Sequence, residues 1–101
     1  MSVNAIIIDQ NDNVVVITRA LAKGAQVTYL KGDRLVRFPL LQDVPVYHKV
    51  ACSEIPKGHA VIKYGAEIGC AMCRIQAGEY VHVHNLYSAR DPRYKGGISC
   101  S

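Results

Sequence analysis

The chain has 101 residues, half of them hydrophobic and a fifth charged, with a formal net charge of +4. That is one domain of ordinary globular composition, long enough for a modest core and too apolar for a disordered chain. Its Lys and Arg residues are scattered, with no basic stripe interleaved with aromatics, which argues against a nucleic-acid partner and fits a small anion or an acidic protein.

The N-terminus, Met1 to Asp9, carries no basic leader, and its apolar run is too short for a signal peptide. Nothing approaches the roughly 18 apolar residues of a membrane span. The expectation is a cytoplasmic protein with no membrane contact. Ala5 to Asp9 and Val14 to Thr18 are β-branched runs about the turn-forming Gln10-Asn11-Asp12-Asn13, a hairpin signal. A tight connection, Arg19 to Gly24, leads to a strand over Gln26 to Leu30. The turn Lys31-Gly32-Asp33 closes that strand, and a shorter one, Leu35 to Phe38, ends at Pro39. Val46 to Cys52, His59 to Tyr64 and Glu67 to Met72 read as further strands, divided by Pro56-Lys57-Gly58 and Gly65. No stretch of a dozen residues has a helical period, so helix is limited to single turns and the fold class is all-β.

A short pattern recurs. Leu21-Ala22-Lys23-Gly24-Ala25-Gln26-Val27 matches Ile55-Pro56-Lys57-Gly58-His59-Ala60-Val61 and Ile75-Gln76-Ala77-Gly78-Glu79-Tyr80-Val81. In each, a Leu or Ile would anchor a turn on the core, a Gly would take a backbone shape other residues resist, and a Val would start the outgoing strand. The unequal spacing of the copies excludes a regular solenoid, and the repeat reads as a device that builds the fold.

Ala77 to Leu86 holds two of the four histidines. Strict alternation predicts a strand with Val81 and Val83 facing the core and Tyr80, His82 and His84 on the other face. Two imidazoles so placed would be about 6 to 7 Å apart. They would suit a shared metal, an anionic ligand, or simply a polar face in water. Cys70-Ala71-Met72-Cys73 has the C-x-x-C form, but no second ligand pair and no βαβ context accompany it, so packed free thiols are expected. Residues 87–101 turn polar, basic and Gly-rich. They form a loose tail or an arm that orders on a partner, and Cys100 within them reads as incidental.

Taken in order, Asp43-Val44-Pro45-Val46-Tyr47-His48-Lys49-Val50-Ala51, then Val61-Ile62-Lys63-Tyr64-Gly65-Ala66-Glu67-Ile68-Gly69, then Val81-His82-Val83-His84-Asn85 resemble the N-terminal SAF domain of altronate and galactarate dehydratases. The resemblance runs from about Asp12 to about Leu86 by motif, and residues 1–86 are taken as the domain. It implies a β-clip fold, a tangle of short strands shared with type III antifreeze proteins. Because such domains usually precede a much larger catalytic region, it also implies a small subunit that completes a hydro-lyase active site with a large dehydratase-like subunit. The small subunit of sulfolactate sulfo-lyase is similar too, which leaves a sulfo-lyase, or a stand-alone β-clip module binding an anion or carbohydrate, as alternatives. Two departures stand out. Family members often have His at the place of Tyr80, and many have Phe-Gly-His-Lys where this chain has Val46-Tyr47-His48-Lys49.

The implied reaction is β-elimination from a hydroxy acid, which needs a base, a cation for the carboxylate and a stabiliser for the enediolate. The resemblance points to His48, Lys49 and His84 as catalytic residues and to Lys49 and Asn85 as substrate-binding residues. It points to His82 and His84 as ligands of a divalent metal, Fe2+ or Mn2+, held in the complex. Each has a plainer alternative: His48 capping a turn, Lys49 solvated on an edge strand, Tyr64 and Lys63 forming the core and rim of the clip, and His59 on the surface. A homo-oligomer is left open.

Overall fold

β-Branched residues fill the runs that the turn signals bound, and each such run becomes a strand. The computed structural model describes residues 3–88. The tail expected over residues 87–101 lies outside them, Cys100 included, apart from Tyr87 and Ser88, which belong to the last strand. The strands are β1 (Ala5–Ile6), β2 (Val14–Ile17), β3 (Gln26–Lys31), β4 (Arg34–Pro39), β5 (Lys49–Ala51), β6 (Ala60–Lys63), β7 (Ala66–Ala71), β8 (Tyr80–Val81) and β9 (Leu86–Ser88). They form a four-stranded sheet in the order β1-β2-β5-β8, a β3-β4 hairpin and a three-stranded sheet β6-β7-β9. All pairings are antiparallel. The described residues hold no helix, and the expected single helical turns are β-turns.

Those turns show that the repeat has four copies. Ala25 N donates to Ala22 O, His48 N to Pro45 O, His59 N to Pro56 O and Glu79 N to Gln76 O, one equivalent bond per copy. The copies work in pairs. Leu21 bridges Val44, and Ile55 bridges Ile75. In each pair, the residue at the glycine position reaches the strand end that precedes its partner: Gly24 N to Leu40 O, Tyr47 N to Ile17 O, Gly58 N to Ala71 O and Gly78 N to Ala51 O, all at 2.8–2.9 Å. The copy starting at Val44 was hidden in the sequence because Tyr47 stands where the other three have glycine. Its φ is 65°, against 89°, 82° and 95° for Gly24, Gly58 and Gly78. A side chain in that left-handed region costs about 1–2 kcal/mol.

Each pair closes over its own core. One core gathers Val15, Ile17, Val27, Tyr29, Leu40, Val44 and Val50; the other gathers Val14, Ala51, Ile55, Val61, Ile75 and Val81. The central sheet lies between them, because successive residues of a strand point to opposite faces. Val14 and Ala51 serve one core, Val15 and Val50 the other.

Buried Asp12 ties the first hairpin to the second half. Its carboxylate accepts N–H bonds from Asp9, Tyr64 and Gly65 at 2.8–3.0 Å. This clamp holds the β6-β7 turn with both Tyr64 (φ 57°) and Gly65 (φ 74°) left-handed, the pattern of a two-residue hairpin loop. Tyr64 is therefore an exposed turn residue, not part of the core as expected, with Lys63 Nζ 4.8 Å from its ring centroid. The C-x-x-C cysteines part company: Cys70 is buried in β7 and Cys73 is exposed.

Candidate functional site

The long histidine strand does not form. β8 ends at Val81, and Asn85 turns the chain back. The Asn85 N–H donates to His82 O at 3.1 Å, and its side-chain oxygen accepts from His82 N at 3.0 Å. Its amide nitrogen donates to Tyr80 O at 2.9 Å. An Asn side chain bonding nearby backbone competes with a strand ladder, and here it wins. Val83, expected in the core, is 74% exposed at the tip of the turn.

The turn nonetheless keeps Tyr80, His82 and His84 together. Tyr80 stacks on His82 with centroids 5.6 Å apart and planes at 10°, and His84 lies 5.6 Å from Tyr80 with planes at 57°. β5 brings the remaining members. Val50 pairs with Tyr80 and Lys49 with Val81, which sets the His48 ring 5.2 Å from His82 and 5.5 Å from Tyr80. The Tyr80 hydroxyl is 2.6 Å from His48 Nδ1. A phenol can donate or accept, so His48 can change its protonation state without losing this partner.

Lys49 is not on an edge strand. β5 lies between β2 and β8, and Lys49 is half-buried. Burial first, and the charge of Lys63 second, hold its pKa below the usual lysine value. His82 is held below the usual histidine value by desolvation first, then by Lys49, His48 and His84. The result is a positively biased patch with a neutral imidazole at its centre, suited to an anion and to proton exchange.

Three of the expected site residues, His48, His82 and His84, thus surround Tyr80, while Lys49, paired with Val81, leaves the other face of β5 and reaches the cluster through its charge on His82. Asn85 lies beneath them, buried, with both ends of its amide engaged by backbone. His59 is exposed, away in the third copy of the turn. Tyr80 was not among the candidate residues; the signal available was its place in the alternation with the histidines. Tyr80 also borders an open groove of ≈ 560 Å³ lined by Leu21, Ala22, Val44 and Pro45. Among the described residues no three His, Cys, Asp or Glu side chains converge as a metal site. A metal centre of the zinc type takes three or more protein ligands, so His82 and His84 do not make one by themselves.

The model of the altronate/galactarate dehydratase SAF domain matches residues 3–89, which takes in the first strand as well as the motif residues. A (2R)-sulfolactate sulfo-lyase subunit alpha from Chromohalobacter salexigens is 33% identical over 93 residues, covering 89% of this chain and 99% of that protein. Altronate dehydratase of Escherichia coli is 45% identical over 74 residues, covering 73% of this chain and 14% of that protein. Altronate dehydratase of Bacillus subtilis is 35% identical over 78 residues, 77% of this chain and 15% of that protein. This chain belongs to the altronate/galactarate dehydratase SAF-domain family.

Proposed function

We propose that the chain completes, with a large subunit, the active site of a lyase that eliminates a β-substituent from a 2-hydroxy acid, and that the leaving group is sulfite. The choice of leaving group rests on coverage. The match to the sulfolactate sulfo-lyase subunit takes in 99% of that protein, whereas the altronate dehydratase matches take in 14% and 15% of theirs. The 45% identity to the E. coli dehydratase domain favours a second reading, loss of water from an altronate- or galactarate-type sugar acid.

In either case a base takes the proton next to the carboxylate, a carbon–carbon double bond forms, and the β-substituent leaves with its bonding pair. The enol then becomes the 2-oxo acid. Lys49, backed by Lys63, attracts the acid group. His48 exchanges protons with Tyr80 as its hydrogen-bond partner, and exposed His84 is a second exchange point. His82, kept neutral, accepts a proton or a hydrogen bond. Asn85 holds the turn that places them. Any divalent cation at this site would draw its remaining ligands from the large subunit.

The test is purification of tagged chain from its native cells with whatever accompanies it. A large chain at near-equal amount, in a complex that releases sulfite from sulfolactate, is the expected result. A 2-oxo acid formed from aldonates or aldarates without sulfite release would move the assignment to the hydro-lyase. Recovery of the small chain alone under gentle conditions would favour a stand-alone binding module instead.

A further inference from the structure

We propose that Tyr47 is the anchor by which this chain docks on its large subunit, its ring entering an apolar pocket there. The inference rests on the small-subunit reading above. Three of the four turns fill the left-handed position with glycine, and the fourth makes the same hydrogen bonds with a tyrosine at φ 65°. Strain of this kind persists where the residue has a task that glycine cannot perform. The task is not packing within the chain, since Tyr47 is 73% exposed.

The other left-handed tyrosine provides a contrast. Tyr64 is accounted for locally, by a hairpin turn held on Asp12 and by Lys63 at its ring. Tyr47 has no such local account. It continues an exposed apolar strip instead: Pro45 lines the groove beside Tyr80, and Val46 is 39% exposed. Val83, between His82 and His84 in the chain, is a further exposed apolar side chain. A hydroxy-acid substrate is anionic and would be drawn to Lys49, not to this strip. Contiguous exposed apolar side chains around a polar centre are the mark of a protein contact, and tyrosine is a common anchor of such contacts. Tyr47 immediately precedes His48, so seating its ring would press the histidine cluster against the large subunit.

Three variants of the full chain test this: Tyr47→Gly, Tyr47→Ala and Tyr47→Phe. The readouts are the Tm of the small chain and its Kd for the large subunit recovered with it. Tyr47→Gly should raise Tm by roughly 4–16 °C as strain is released, while Tyr47→Ala, still left-handed, should not. Both should weaken the complex about 30-fold, and Tyr47→Phe should bind within a few-fold of the unsubstituted chain. Undiminished binding by Tyr47→Ala or Tyr47→Gly overturns the anchor while leaving the small-subunit reading intact. If the unsubstituted chain binds no large subunit, both fall.

Discussion

At the centre of the site, one hydroxyl and three imidazoles share a small space with two lysines near them. The electrostatic consequence is specific. Lys49 acts on His82, and Lys63 acts on Lys49. His82 resists protonation below the usual 6.5, so as pH falls from there the unfolded chain takes up the proton first. Folding stability therefore declines from about pH 6.5 down to the lowered native pKa. Replacing Lys49 with Met removes one cation and should move the His82 titration upward, toward 6.5, in NMR spectra of the imidazole protons. The acid-side loss of stability should shrink with it. A His82 titration unmoved by Lys49→Met would leave desolvation and the neighbouring His48 and His84 as its causes. The histidines and Lys49 were legible in the sequence, because motif order named them and alternation grouped them with Tyr80. Val83 was misplaced because Asn85, read as a substrate-binding residue, turns out to bond backbone and end the strand. Tyr80 escaped because a single aromatic amid alternating residues fits packing as well as chemistry.

Among the elements, the turn is the repeated part, and its four copies do not tolerate change equally. Gly24 and Gly78 occupy equivalent places at φ 89° and 95°. A Cβ on Gly24 would meet nothing within 4 Å, whereas one on Gly78 would sit 2.4 Å from Pro39 O and 3.2 Å from Leu41 Cγ. Gly24→Ala carries only the left-handed strain, about 1–2 kcal/mol. Gly78→Ala adds a clash with backbone, for a total of about 2–5 kcal/mol. Urea unfolding of the two variants checks the ranking; equal losses would mean that the β8 turn relaxes freely. Since Gly78 opens β8, the costlier change also lies next to Tyr80 and the histidine cluster. Three of these turns could be read from Leu/Ile-x-x-Gly-x-x-Val. The fourth could not, since the pattern was keyed on glycine and Tyr47 takes its place. The Asp12 clamp was equally hidden, because its partners Tyr64 and Gly65 are more than fifty residues away and a buried carboxylate looks no different in sequence from an exposed one.

The molecule as a whole is two turn pairs, each with its own core, sharing one sheet. The site stands on that shared sheet, His48 at the entrance to β5 and Tyr80 in β8, so both cores must be intact for the cluster to hold. The first core carries an alkaline weak point. Tyr29 is 3% exposed, and its pKa is pushed up to about 12 by burial, with Cys52 adding to the rise. Cys52 is itself raised, chiefly by burial. For a group whose native pKa lies above its unfolded value, stability is complete below the unfolded value and is lost as pH rises toward the native one. The phenol of an unfolded chain ionises near 10 while the native one does not. Stability should hold through neutral pH, then fall between about pH 10 and 12, with Cys52 advancing the onset. Urea titrations at stepped alkaline pH would trace this, and Tyr29→Phe, which keeps the ring in the core, should flatten the fall above pH 10. An unchanged fall in Tyr29→Phe would assign it to Cys52. In the unsubstituted chain the contact between His48 and Tyr80 should be lost along the same curve, since loosening the core that holds Val50 frees the strand that presents both Lys49 and His48.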